Sequence, residues 1–235
     1  MDACFLCSTM FSSNFSVETP SLFNERVVSI HEEPSHHHVL HSNSIRVFDA
    51  NFPPQQASLY HTHDKDSVLI CLEGGHVTNE LPGKEVVSRP PIPTGEIYYR
   101  AYASNPDYAK ATFVHRVRNL SQTPFRILDI EILKEPDSSN TLNPLPNCFN
   151  IVLENDRVRV SKLRLDSTQS TGEIEFKSPR LLAFMGEGKI SITSVSQSRI
   201  IDADRGSLDM QELSHKETIT NVGASFMEIV IIEIK

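Results

Sequence analysis

The residues of this chain whose types and spacing could do chemistry are His61 and His63, separated by one threonine, and His115, some fifty residues on within His115-Arg-Val-Arg-Asn119. Side chains at i and i+2 of a strand leave the same face, so His61 and His63 can reach one metal ion if their segment is extended. A third imidazole from a neighbouring strand completes a facial site, with coordination positions left for substrate or dioxygen. Neutral imidazole suits iron, zinc, nickel, copper and manganese. The ligand set therefore predicts one divalent ion held by His61, His63 and His115, and it leaves the reaction unnamed.

Such a site needs strands. Short alternating segments at 45–52, 67–72, 113–117, 125–133, 157–165, 180–185, 189–195 and 225–234 are bounded by Pro, Gly, Asn, Asp and Ser, and no amphipathic helical pattern outlasts a turn or two. The chain reads as all-β. A turn-rich, apolar-poor connector spans 135–147.

An internal repeat emerges when Val39-Leu-His-Ser-Asn-Ser-Ile-Arg-Val47 is laid on Val152-Leu-Glu-Asn-Asp-Arg-Val-Arg-Val160, an offset of 113 residues. Nearer the ends of the two copies, Asn119 falls on Asn221 and Asp129-Ile-Glu-Ile132 on Ile231-Ile-Glu-Ile234, an offset of 102. The expected organisation is a leader at 1–26, a first β unit at 27–136 and a second at 137–235. At these offsets His61 corresponds to Ile174, His63 to Phe176 and His115 to Glu217. The second unit should keep the fold without a metal, since His215 alone is a poor ligand set.

These residues resemble the cupin superfamily. Its first motif, Gly-x5-His-x-His-x3-4-Glu-x6-Gly, is met at His61, His63 and Gly74, and its second, Gly-x5-Pro-x-Gly-x2-His-x3-Asn, at His115 and Asn119. The two-copy layout over 27–235 looks like a bicupin, which implies two tandem jelly-roll barrels. Ser67 stands where the family usually places a glutamate ligand, Gln55 replaces the first glycine, and Lys110-Ala-Thr112 replaces Pro-x-Gly. The resemblance then implies a three-histidine site similar to that of the thiol dioxygenases, with Asp64 or Asp66 as the carboxylates that could still reach inward.

Strand parity puts Leu59, Ser67, Leu69, Cys71, Phe113 and Val117 on the ligand face as pocket walls, and Tyr60 and Thr62 on the other. The tyrosine-rich segment 98–108 could cap the barrel mouth, with Tyr98, Tyr99 and Tyr102 orienting substrate or relaying protons. Adjacent residues splay to opposite faces, so His36-His37-His38 reads as a solvated run rather than a second metal patch. Asn119 should end its strand by turn bonding, as Asn221 would. Arg116 and Arg118 point outward by parity, while Arg46 is open between interior anion recognition and ordinary surface charge.

Composition narrows the function classes. With 22 basic and 30 acidic residues the net charge is −8, which disfavours nucleic acid and anionic membranes as partners. No apolar run is long enough to span a bilayer. Four cysteines, at 4, 7, 71 and 148, do not form a disulfide framework and suit a reducing, cytoplasmic setting, with a cleaved plastid or mitochondrial leader as the alternative. Pairing of exposed strand edges would give a homodimer. The expected function is that of a metal-dependent enzyme acting on a small organic molecule in the first barrel. An Fe(II) dioxygenase is favoured over an isomerase, cyclase or lyase using Zn(II), Ni(II) or Mn(II), and over a non-catalytic ligand-binding or storage bicupin.

Overall fold

The computed structural model describes residues 25–86, 90–106, 112–136 and 141–235. Residues 1–24 of the expected leader, with Cys4 and Cys7, Tyr108 and the start of the second unit at 137–140 lie outside these residues. Eighteen strands follow in order: β1 Val27–Ser29, β2 His36–His41, β3 Ile45–Phe52, β4 Tyr60–His63, β5 Ser67–Glu73, β6 Val77–Glu80, β7 Ile97–Arg100, β8 Phe113–Asn119, β9 Phe125–Ile132, β10 Phe149–Glu154, β11 Val158–Leu165, β12 Ser170–Phe176, β13 Arg180–Phe184, β14 Gly188–Ser194, β15 Ser198–Ala203, β16 Leu208–Gln211, β17 His215–Asn221 and β18 Met227–Ile234. The one helical element among the described residues is a single 3-10 turn, Ile30–Glu32.

Each unit is built from a five-stranded and a four-stranded sheet. The leading pair runs β2-β3-β9-β5-β7 and β1-β4-β8-β6, and the trailing pair β10-β11-β18-β13-β16 and β12-β17-β14-β15. The duplication read from the sequence is present at the level of register. His61 pairs with His115 and His63 with Phe113, and in the trailing unit Ile174 pairs with Glu217 and Phe176 with His215. The Asn119 amide donates to the carbonyls of Phe52 and Thr123, and the Asn221 amide to those of Leu165 and Ser225, so both asparagines close the same turn.

The two five-stranded sheets share one apolar cluster. Ile45, Val47, Val68, Ile70, Leu128 and Ile130 belong to it from one side, and Val158, Val160, Leu181, Val230, Ile232 and Ile234 from the other. Alternate residues of the same strands fill the barrel interiors, so the central strands are buried on both faces, which is why β18 reads as a nearly unbroken apolar run. Each such aliphatic side chain contributes about 1.5–3 kcal/mol by leaving water. The edge strands β2, β7, β10 and β16 carried too little apolar alternation to be expected from sequence; β2, for example, is largely exposed.

The glycine missing from the first motif has a conformational meaning. Gln55 adopts a left-handed backbone, φ 61°, and Thr168, at the equivalent place in the trailing unit, has φ 65°. Gln55 gains from two hydrogen bonds of its amide to the carbonyls of Leu120 and Ser121, whereas Thr168 is β-branched and exposed, the residue type least suited to that region. Thr168→Gly should therefore stabilise the protein by about 1 kcal/mol, and Gln55→Gly by less, as read by the urea midpoint at constant m-value.

Candidate metal centre

The histidines are brought together by antiparallel pairing of β4 with β8, which sets His61 directly opposite His115. All three are buried, and their ligand atoms lie within 4.8 Å of one another. Each ring has an oxygen near Nδ1. His61 Nδ1 donates to the Leu59 carbonyl at 2.9 Å, His115 Nδ1 to the Asn79 side-chain oxygen, and His63 Nδ1 lies 3.6 Å from an Asp129 carboxylate oxygen. The acceptors at His61 and His115 favour the Nδ1–H tautomer there and leave those Nε2 lone pairs free, while His63 Nδ1 has a carboxylate nearby but no hydrogen bond among the described residues. His63 Nε2 and His115 Nε2 stand 2.9 Å apart, and His61 Nε2 is buried without a partner.

Lone pairs so placed repel unless a cation lies between them. Two imidazole nitrogens at about 2.0–2.1 Å from one ion, at right angles, are about 2.9 Å apart, so the spacing fits two corners of a facial site. Burial pushes the His61 imidazole down to about 4, helped by the neighbouring His36 ring, and holds His63 and His115 well below their ordinary value. The three rings are neutral at pH 7, the form that binds a metal.

A buried carboxylate supports this arrangement from behind. Glu33 holds His36 Nδ1 at 2.7 Å and accepts from the Leu59 N–H at 3.1 Å, tethering the residue whose carbonyl orients His61. The His36 ring centroid is 4.6 Å from that of His61. His36 is therefore buried packing, not part of a solvated run, while His37 and His38 are exposed. Neither alternative carboxylate joins the site. Asp64 is exposed beside Lys65, and Asp66 accepts from the Tyr99 hydroxyl and from the N–H groups of Ala103 and Ser104. Arg157 of the trailing unit approaches Asp66 to 3.9 Å.

The tyrosines divide. Tyr102 is buried and stacks on His63 at 4.6 Å and on Phe113 at 4.9 Å, covering the histidines. Tyr98 packs with Leu69, Cys71 and Val117 in the leading interior, its hydroxyl buried and without a hydrogen-bond partner. Tyr99 points away: its ring packs on the cluster between the barrels and its hydroxyl is held by Asp66, so the structure does not bring it to the histidines. Ser67 is fully buried, whereas Leu59 is exposed and offers its backbone rather than a wall. Arg116 and Arg118 pair with Glu80, and Arg46 with Glu131.

Sequence reasoning missed Asn79 and Asp129. Asp129 was detectable, because it lies on Ile231 in the repeat, just where an apolar residue suffices without a metal. Burial and then Glu131 push its carboxyl up to about 7. In the trailing barrel the ligand place is taken by an ion network: Arg180, fully buried, bonds Glu217 at 2.5 Å and Asp209 at 2.9 Å, and His215 lies 3.1 Å from Glu217. Among the described residues, the three histidines of the leading barrel form the one metal-competent cluster.

Solved structures similar to this chain have matching architecture. AerE from Microcystis aeruginosa aligns over 86% of this chain and 98% of its own, with TM-score 0.60 and 11% identity. An oxalate decarboxylase from Lactobacillus farciminis aligns over 82% and 77%, with TM-score 0.55 and 11% identity. The fold is that of a bicupin. A salicylate 1,2-dioxygenase from Pseudaminobacter salicylatoxidans is likewise similar, over 82% of this chain and 71% of its own, with TM-score 0.54 and 10% identity. No protein-family model and no curated protein matches the sequence. No described helix is long and apolar enough to cross a membrane.

Two outcomes follow from the geometry. Asp129→Ala should weaken metal binding by about 10- to 100-fold in a competitive chelator titration, with Asp129→Asn between it and wild type. The second concerns pH. Histidines held below their ordinary 6.5 bind fewer protons folded than unfolded, so the metal-free protein should lose stability as pH falls from about 6.5 toward about 4. Urea midpoints across that range should fall less steeply for His115→Gln.

Proposed function

We propose that this bicupin is a mononuclear metal-dependent enzyme acting on a small organic molecule in its leading barrel, as an Fe(II)-dependent dioxygenase. The observation that carries this reading is the convergence of three neutral imidazoles with no carboxylate among the clustered ligand atoms of the described residues. Three neutral ligands leave a divalent ion its full charge and open coordination positions. Fe(II), when bound, supplies redox chemistry toward dioxygen. The fold likeness to a salicylate dioxygenase agrees with that class without supplying a substrate.

The chain's own groups have defined tasks in this reading. Tyr102 and Phe113 keep bulk water from the histidines by stacking over them. Burial pushes the Tyr98 phenol up, so it stays protonated and donates its hydrogen bond to bound substrate. The Cys71 thiol is pushed up to about 12 by burial, so it serves as an apolar wall and not as a thiolate ligand.

After reconstitution with Fe(II), Zn(II), Ni(II) or Mn(II), metal analysis should find about one ion per chain in wild type and a trace in His61→Ala/His63→Ala. The iron form should consume dioxygen with a member of a panel of hydroxybenzoates, catechols and small thiols, and Tyr98→Phe should lower kcat about 100-fold with KM little changed. Trace metal in wild type would sink the enzyme reading. Turnover under nitrogen with Zn(II) would replace the oxygenase with a metal-assisted isomerase, cyclase or lyase.

A further inference from the structure

The inner face of the leading five-stranded sheet carries one polar row. Ser67 on β5 pairs with Glu131 on β9 and with Arg100 on β7, and Glu131 pairs with Arg46 on β3. Directly paired residues share a face, so all four leave the sheet toward the barrel interior. Glu131 holds Arg46 at 2.7 Å. Arg100 has no such partner: its guanidinium lies 5.3 Å from the Tyr98 ring centroid, and it makes no hydrogen bond or ion pair with any described residue. Tyr98, over whose ring it lies, belongs with Val117 to the apolar cluster of the leading interior, and Val117 leaves β8 on the same face as His115, so Arg100 lies on the histidine side of the sheet. The other interior carboxylate, Asp129, faces His63, with Oδ2 3.6 Å from His63 Nδ1.

The trailing barrel shows the same row with its charges satisfied internally. There it reads Arg159, Glu233, Arg180, Gln211, and Glu233 holds Arg159 as Glu131 holds Arg46. Its second cation, Arg180, is neutralised by Glu217 and Asp209. Glu217 occupies the register place of His115, and Asp209 that of Tyr98. In the leading barrel the second cation sits one strand over, on β7, and both carboxylates are replaced, one by a metal ligand and one by a phenol. A guanidinium beside a site for a divalent cation, stripped of its counter-charge, asks for an anion from outside.

We infer that Arg100 anchors the carboxylate of the substrate beside the three-histidine centre, so that the substrate is a small organic acid. The assignment rests on the metal reading above and adds the substrate class to it. A guanidinium presents a planar fork that matches a carboxylate through two parallel hydrogen bonds. The stacked cover of Tyr102 and Phe113 suits a flat, compact guest.

The test uses the full chain loaded with Co(II), with metal content measured directly and binding followed by calorimetry for benzoate, oxalate, benzamide and inorganic phosphate. Wild type should bind at least one carboxylate, and the uncharged amide at least about tenfold more weakly. Arg100→Gln should weaken carboxylate binding about 10- to 100-fold at unchanged cobalt content, and Arg100→Lys should fall between. Equal affinity in wild type and Arg100→Gln, binding of phosphate alone, benzamide binding as tightly as benzoate, or no carboxylate binding would each overturn the assignment. Failure to hold cobalt would instead sink the metal reading. The same titrations on metal-free protein would then decide the role of Arg100 by whether binding still depends on it.

Discussion

The structure turns on the commitment of the histidine Nδ1 atoms. A buried imidazole with neither nitrogen engaged costs folding free energy, and an imidazolium in the same place costs more. By giving Nδ1 of His61 and His115 an oxygen acceptor, and by setting Asp129 beside that of His63, the leading barrel fixes which lone pairs remain and where they point. What remains is a concentrated patch of unshared electron density in an apolar wall. The order of the ligand cluster therefore depends on groups that never touch a metal: the Leu59 peptide held by Glu33, the Asn79 amide and the Asp129 carboxylate.

The trailing barrel answers the same demand by a different route. With Ile174 and Phe176 in two ligand places, the third is filled by a carboxylate that an arginine neutralises. A buried ion pair roughly breaks even against an apolar filling, so this solution fills the place without a metal ligand set among the described residues. Both barrels keep the Arg–Glu pair across their first and second sheet neighbours and both keep the asparagine that closes the β8 or β17 turn. The shared features belong to the jelly roll, and those that differ belong to the site.

Much of this was legible in the sequence because the signals were periodic or duplicated. The i, i+2 histidines needed only the strand period of two, and the two offsets of the repeat reproduced the strand register residue for residue. Edge strands such as β2 were hidden because a strand with one exposed face and polar residues has no apolar alternation to display. Parity put Asp66 on the face opposite the histidines, as found, but left its inward reach open, because only tertiary contacts show that three donors from 99–104 claim its carboxylate. Likewise Tyr99 and Tyr98 are neighbours in sequence, and the pleat sends one to the barrel interior and the other to the seam between the barrels.

The approach of Arg157 to Asp66 gives the trailing half a say in the half that carries the three histidines. Asp66 also holds the Tyr99 hydroxyl before the ring that covers His63 and the backbone N–H groups of Ala103 and Ser104 just after it, so its position sets how that cover sits. Sequence drift in the trailing barrel is then not silent. A substitution there that moves Arg157 reaches the cover of the histidine cluster through one carboxylate, so the two halves do not vary independently.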